Sequence, residues 1–159
     1  MSGKTNPIPE GFHSVTPYLC VSDAARAIEF YKEAFGATER MRFEVPGGKI
    51  GHAEIEIGDS IVMLADEMPE INFRSPQTVG GPSSHFMIYV EDVDARVERA
   101  VAAGARLTRP VKDEFYGDRA GSVEDPFGHV WFIATHIEDL SPEEIKRRGD
   151  AEMAQHAGA

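Results

Sequence analysis

The segment Gly51-His52-Ala53-Glu54-Ile55-Glu56-Ile57 places an imidazole and two carboxylates at every second position. In an extended chain alternate residues project to opposite faces, so His52, Glu54 and Glu56 share one side and Ala53, Ile55 and Ile57 the other. Such a polar row is either the solvated face of a sheet or a set of groups able to act as a base or to hold a divalent cation. Glu54 is the candidate base. His85, after Pro82-Ser83-Ser84, reads equally as a catalytic pocket histidine or as a capped structural one. His129 and His136 fit structural hydrogen bonds. Phe115-Tyr116-Gly117-Asp118-Arg119 brings aromatic surface with a polar tip next to a guanidinium, which suits a ligand pocket. Arg119 either grips a ligand's carboxylate or phosphate or pairs with Asp118 or Glu124 across a hairpin. Trp131 and Phe132 add aromatic area, but adjacent strand residues point opposite ways, so at most one enters a given pocket.

The elements carrying these residues come in a repeated order. Val15 to Val21 reads as a strand, Asp23 as an N-cap, Ala24, Ile28, Tyr31 and Phe35 as a helical stripe, and Gly36 as the stop. Phe86 to Val90, Asp92, the stripe Val93, Val97, Ala100 and Val101, and Gly104 repeat that order. Three strands follow each helix: 39–44, 50–57 and 60–66, then 106–112, 119–124 and 129–135. Their turns are Pro46-Gly47-Gly48 and Gly58-Asp59 in the first copy, Tyr116-Gly117-Asp118 and Asp125-Pro126-Phe127-Gly128 in the second. The chain is therefore an α+β protein of two βαβββ modules forming curled mixed sheets. The first module spans 12–66, a Pro- and Gly-containing linker 67–83, the second module 84–136, and a C-terminal helix and tail 137–159. Ser141-Pro142-Glu143-Glu144 is a capping box for that helix, and the run from Ala154 onward is expected to fray.

Composition narrows the partners. Apolar residues form 42% of the 159, enough for a core at this length. The net charge of −11 and the lack of Lys/Arg clusters argue against nucleic acid and anionic membranes as partners. No apolar run approaches the roughly 20 residues of a membrane span, and Met1 to Pro9 lacks a signal-peptide core, so a cytoplasmic protein is expected. The single cysteine, Cys20, sits in Tyr18-Leu19-Cys20-Val21 and reads as a small buried hydrophobe; one cysteine allows neither an intrachain disulfide nor a multi-thiolate zinc site.

Val21-Ser22-Asp23 through Ile28-Glu29-Phe30-Tyr31 to Phe35-Gly36-Ala37, and again Val90-Glu91-Asp92-Val93-Asp94-Ala95, resemble the openings of the two modules of the vicinal oxygen chelate (glyoxalase/bleomycin resistance/dioxygenase) superfamily. Asp125-Pro126-Phe127-Gly128-His129 resembles the turn before its last strand. Thr16-Pro17-Tyr18-Leu19, Phe115 to Arg119, and Ala134-Thr135-His136 with Glu138-Asp139 resemble the PhnB-like subgroup. The resemblance runs from about residue 12 to 148 and is specific for the fold, not for a reaction.

In metal-dependent members, one ligand lies seven residues before the helix-capping Asp and one lies four residues after the turn Gly. These rules select Thr16, Val62, His85 and Phe132, with a one-residue register error allowed for the last strands. Only His85 is a good ligand, and a stable divalent site needs three or four. The resemblance thus implies a metal-free, small-molecule-binding protein with an aromatic-lined pocket, drawing on His52, Glu56, Phe115, Tyr116, Arg119, Trp131 and Phe132, and working as a homodimer. No cofactor is expected. The alternative is a glyoxalase-like lyase, isomerase or dioxygenase. It would use either a relocated divalent metal on His52, Glu54 or Glu56 with His85, or metal-free chemistry with Glu54 as base and His85 or Arg119 as electrophile.

Overall fold

A computed structural model describes residues 5–158. The chain divides into two compact units: residues up to Ser83 together with Pro126–His129, and Ser84–Asp125 together with the rest from Val130.

The first unit contains β1 (Tyr18–Val21), α1 (Ala24–Phe35), β2 (Thr38–Val45), β3 (Lys49–Ile57) and β4 (Ser60–Asp66). They form a four-stranded mixed sheet in the order β1-β4-β3-β2, with β1 parallel to β4 and the other pairs antiparallel. Asp23 caps α1 by accepting from the Arg26 N–H, and Gly36 ends it at φ 68°, a left-handed conformation that glycine adopts without a Cβ penalty. Register decides which side chains meet the helix. Ala53 pairs with Leu64 and Ile55 with Val62, so these four share one face. Ala27, Ile28, Tyr31 and Ala34 of α1 are fully buried, as are Ala53, Ile55 and Leu64. Each such Ile or Leu contributes about 1.5–3 kcal/mol by leaving water. The buried carboxylate of Asp66 ties the layers: Oδ1 accepts from the Ala24 N–H at 2.9 Å and Oδ2 from the Ile50 N–H at 2.7 Å.

Residues 67–83, expected as a plain linker, hold a 3₁₀ turn at Pro69–Ile71 and the short helix α2 (Pro76–Val79). Glu67 organises this segment by accepting from the Ser75 N–H at 2.7 Å, and its carboxyl is lowered by the hydroxyl of Thr78 and by Ser75. Pro126–His129 completes the unit. Phe127 is buried with its ring 6.3 Å from that of Phe30, and His129 Nε2 lies 2.9 Å from the Cys20 carbonyl oxygen.

The second unit repeats the plan with β5 (Phe86–Tyr89), α3 (Val93–Ala102), β6 (Arg106–Asp113), β7 (Asp118–Glu124) and β8 (Val130–His136), ordered β5-β8-β7-β6, then α4 (Pro142–Ala157). Asp92 and Ser141 cap α3 and α4 as their sequence positions suggest. Several boundaries differ from the sequence reading, most of them by one residue. Val15 to Pro17 are not in β1, and Val15 is exposed. The last strand starts at Val130, one residue later than expected, because His129 is held by Cys20. Helix α4 extends through Ala157, into the stretch from Ala154 that sequence set apart as a tail.

Candidate functional site

In the first unit the pairing that buries Ala53 and Ile55 leaves His52, Glu54 and Glu56 on the opposite face of the sheet. Glu54 lies opposite Met63, which is itself beside Tyr18; Phe43 lies opposite His52, and Met41 opposite Glu54. Two polar contacts link this face. The Tyr18 hydroxyl is 3.0 Å from His52 Nδ1, and His52 Nε2 is 3.5 Å from Glu54 Oε1. In the tautomer with its proton on Nε2, toward Glu54, His52 accepts from the Tyr18 O–H at Nδ1. The ring of Tyr18 packs edge-on to His52 at 5.4 Å and against Phe73 at 5.2 Å. Partial burial, then the neighbouring Cys20, raise the Tyr18 phenol above its ordinary range, so it is a neutral hydroxyl donor at physiological pH. Around these groups lies exposed apolar surface: Phe43 is 60% exposed, Tyr18 44% and Met41 42%. Glu56, on the same row, is exposed and lies opposite Thr38.

In the second unit Phe132 pairs with Ser122 and lies beside Met87, on the face away from α3. Its ring is 5.6 Å from that of His85, and the Arg109 guanidinium sits 5.7 Å over it. The half-buried Tyr116 lies edge-on to Phe115 at 5.3 Å. A separate network gathers at the end of β7. The buried Asp118 accepts from the Tyr89 hydroxyl at 2.9 Å and faces His136 Nδ1 at 2.7 Å, while His136 Nε2 is 3.0 Å from Asp139. Asp118 first, then Asp139, raise the His136 imidazole above its ordinary range.

Several sequence-selected residues lie elsewhere than expected. Trp131 is 2% exposed and faces the helix side beside Phe86, and its indole N–H donates to Asp125. Of the adjacent pair, Phe132 is therefore the one that faces outward. Arg119 pairs with Asp94 at 2.7 Å and Asp113 at 2.9 Å rather than with Asp118 or Glu124, because strand alternation turns it toward α3. Phe115 lines an open cleft of about 450 Å³ against α4 with Arg147, Arg148 and Glu152, and Gly149 gives its ring room. Tyr18, Met41, Phe43, Phe73 and Arg109 were not singled out by sequence. Tyr18 could have been found, since it alternates with the fully buried Leu19 and Val21 of β1.

The positions that the superfamily uses for metal carry an ill-suited donor set. Val62 is buried on the helix side, so the outward position is its neighbour Met63, a one-residue shift. Thr16 lies in a loop, His85 is exposed, and Phe132 places a ring beside that imidazole. Among the described residues no three His, Cys, Asp or Glu side chains cluster as a metal site would require.

Comparison with known proteins adds to this geometry. The family model described as "Glyoxalase/Bleomycin resistance protein/Dioxygenase superfamily" matches residues 11–133. Uncharacterized protein Mb0911c of Mycobacterium bovis is 39% identical over 136 residues, covering 84% of this chain and 90% of that protein. Among solved structures, the Arabidopsis thaliana gene product At5g48480 is 28% identical with a TM-score of 0.63, covering 77% of this chain and 98% of the other. TioX from Micromonospora sp. ML1 is 26% identical with a TM-score of 0.62, covering 81% of this chain and 100% of the other. No helix among the described residues is long and apolar enough to cross a membrane.

Proposed function

The chain belongs to the Glyoxalase/Bleomycin resistance protein/Dioxygenase superfamily, and from that premise we propose that it binds a small organic molecule without a metal, in an aromatic-lined pocket. The observation that carries this reading is the outward face of the first sheet. It joins hydrogen-bonding groups, Tyr18, His52 and Glu54, to exposed Phe43 and Met41. A few convergent polar groups amid apolar surface are what a ligand pocket needs. In the second unit Phe132, flanked by His85 and Arg109, offers a ring where a cation-binding member would need a donor.

The PhnB-like subgroup is the proposed placement, supported by Thr16 to Leu19, Phe115 to Arg119 and Ala134 to His136. We also place the protein in the cytoplasm, where its one buried cysteine suits a reducing compartment, and read it as a homodimer that covers sheet edges. The second reading is metal-free acid–base catalysis of the lyase or isomerase kind, favoured by the contact of His52 with both Tyr18 and Glu54.

Two measurements test the first reading. Elemental analysis of the purified protein is expected to find no stoichiometric Zn, Ni, Fe or Mn, and finding one overturns the metal-free assignment. A thermal-shift panel of thiol adducts, aromatic antibiotics and phosphonates is expected to yield at least one stabiliser. A ligand at 100 times its Kd adds about 2.7 kcal/mol to stability, an easily read shift. A flat response across the panel counts against a binding role.

A further inference from the structure

We propose that Tyr18, His52 and Glu54 form a proton-accepting relay that captures a planar aromatic ligand through its weakly acidic hydroxyl group. The proposal rests on the small-molecule reading above and adds to it what the ligand is and what the face does to it.

Geometry gives the relay a direction. With its proton on Nε2, the nitrogen 3.5 Å from Glu54 Oε1, His52 leaves Nδ1, 3.0 Å from the Tyr18 oxygen, to accept. Both ring nitrogens are thereby engaged, and the remaining lone pair of the Tyr18 oxygen is the point at which a ligand O–H can donate. Transfer then balances without any redox partner. The ligand O–H bond breaks and its proton joins the Tyr18 oxygen. The original Tyr18 proton moves to His52 Nδ1, and the resulting imidazolium is held by the Glu54 carboxylate. The ligand is left as an oxyanion hydrogen-bonded by Tyr18.

The surroundings choose the ligand class. Glu54 and Glu56 on the same sheet face disfavour a carboxylate or phosphate. The rings of Tyr18 and Phe73, 5.2 Å apart, and the exposed Phe43 favour a flat ring by stacking.

The second unit supplies an independent argument. Strand pairing aligns Tyr18 beside Met63 with Met87 beside Phe132, and Glu54 opposite Met63 with Ser122 opposite Phe132. The residue matching His52 is then Ala120. The same sheet is thus built from Met87, Ala120 and Ser122 with no relay at all, so the fold does not require these three polar groups. They also lie on the face away from α1, where core packing does not explain them.

The test uses 4-nitrophenol, whose absorbance reports its ionisation, with the full-length protein. Bound to the wild type it is expected to ionise about one pH unit lower than when free, the size of shift a single opposite charge produces. H52Q, which keeps a hydrogen-bond partner for Tyr18 but cannot take a proton, is expected to bind the nitrophenol without the shift. E54Q removes the charge that holds the imidazolium and gives the same readout should H52Q not fold. F43A is expected to bind about ten-fold more weakly with the shift intact. A bound nitrophenol that ionises at its free value, or a shift retained in H52Q, overturns the relay and leaves the binding reading standing. Failure of 4-nitrophenol to bind overturns this ligand class, and the thermal-shift panel then decides the binding reading separately.

Discussion

Tryptophan 131 and phenylalanine 132 are neighbours in the chain and opposites in the molecule. Both are large aromatic groups, and composition alone makes either a pocket wall. Trp131 is closed into the core and gives its indole N–H to Asp125 at 2.9 Å, whereas Phe132 touches His85 and Arg109 on the outward face. W131F keeps most of the ring and removes the donor. Loss of a hydrogen bond to a charged group costs about 1.5–3 kcal/mol, and urea denaturation is expected to show a loss of that size. An unchanged urea midpoint would show that the Asp125 contact adds nothing. Cys20 behaves as its apolar neighbours suggest: burial, followed by Glu67 and Asp66, pushes its thiol up to about 12, so it stays a protonated small hydrophobe. What sequence left open at this scale was direction. Strand parity gives two faces, and the side that meets the helix follows only from pairing, as the one-residue shift from Val62 to Met63 shows.

Elements are joined by a few buried polar contacts, and these set the next tests. Asp66, at the end of β4, satisfies the first amide of α1 and the Ile50 amide of β3. D66N offers one acceptor oxygen and turns an NH₂ group toward the other amide. It is expected to destabilise the protein by about 1–3 kcal/mol, read as a lower urea midpoint. At the other end of the chain His136 lies between Asp118 and Asp139, next to the turn where the Ile137 and Glu138 amides donate to the Gly117 carbonyl. Its imidazole is raised in the folded protein. The stabilisation is therefore complete below the ordinary histidine value and is lost as pH rises through the folded value. Once neutral, the ring can give a proton to one aspartate only. Hydrogen exchange of Ile137 and Glu138, corrected for intrinsic rates, is expected to quicken through that pH range in the wild type and to show no such step in H136Q. The element order and all three main helix caps were legible in sequence, because Asp23, Asp92 and Ser141 are local signals. The folding of residues 67–83 was not. It depends on Glu67 reaching Ser75, and prolines there read equally as a loop or as a helix start.

At the scale of the whole molecule the repeat is symmetric in backbone and asymmetric in chemistry. One unit carries Tyr18, His52 and Glu54 on its outward face; the other carries Met87, Ala120 and Ser122 there, with an aromatic ring and a guanidinium alongside. Repetition of caps and turns revealed the two sheets, and strand alternation marked the polar row His52, Glu54 and Glu56; what local pattern did not reveal was that Tyr18, from another strand, joins it. Nor does the chain divide where the repeat does. The tetrapeptide Pro126–His129, read as the last turn of the second module, belongs to the first compact unit. Within that unit Phe127 is 2% exposed against Phe30, Arg26 lies 5.7 Å over the Phe127 ring, Gln77 donates to the Pro126 carbonyl at 3.0 Å, and His129 reaches Cys20. A fragment ending at Ser83 lacks all four residues. The missing ring alone removes what a buried Phe-to-Ala change removes, about 3–5 kcal/mol, a large share of the 5–15 kcal/mol that holds a typical domain. Residues 1–83 alone are therefore expected to show no cooperative thermal transition by circular dichroism, although they include every strand and helix of the first repeat. The full chain carrying F127A is expected to melt cooperatively but lower. A fragment that melts sharply at the wild-type temperature would show that the first repeat is complete without the borrowed turn.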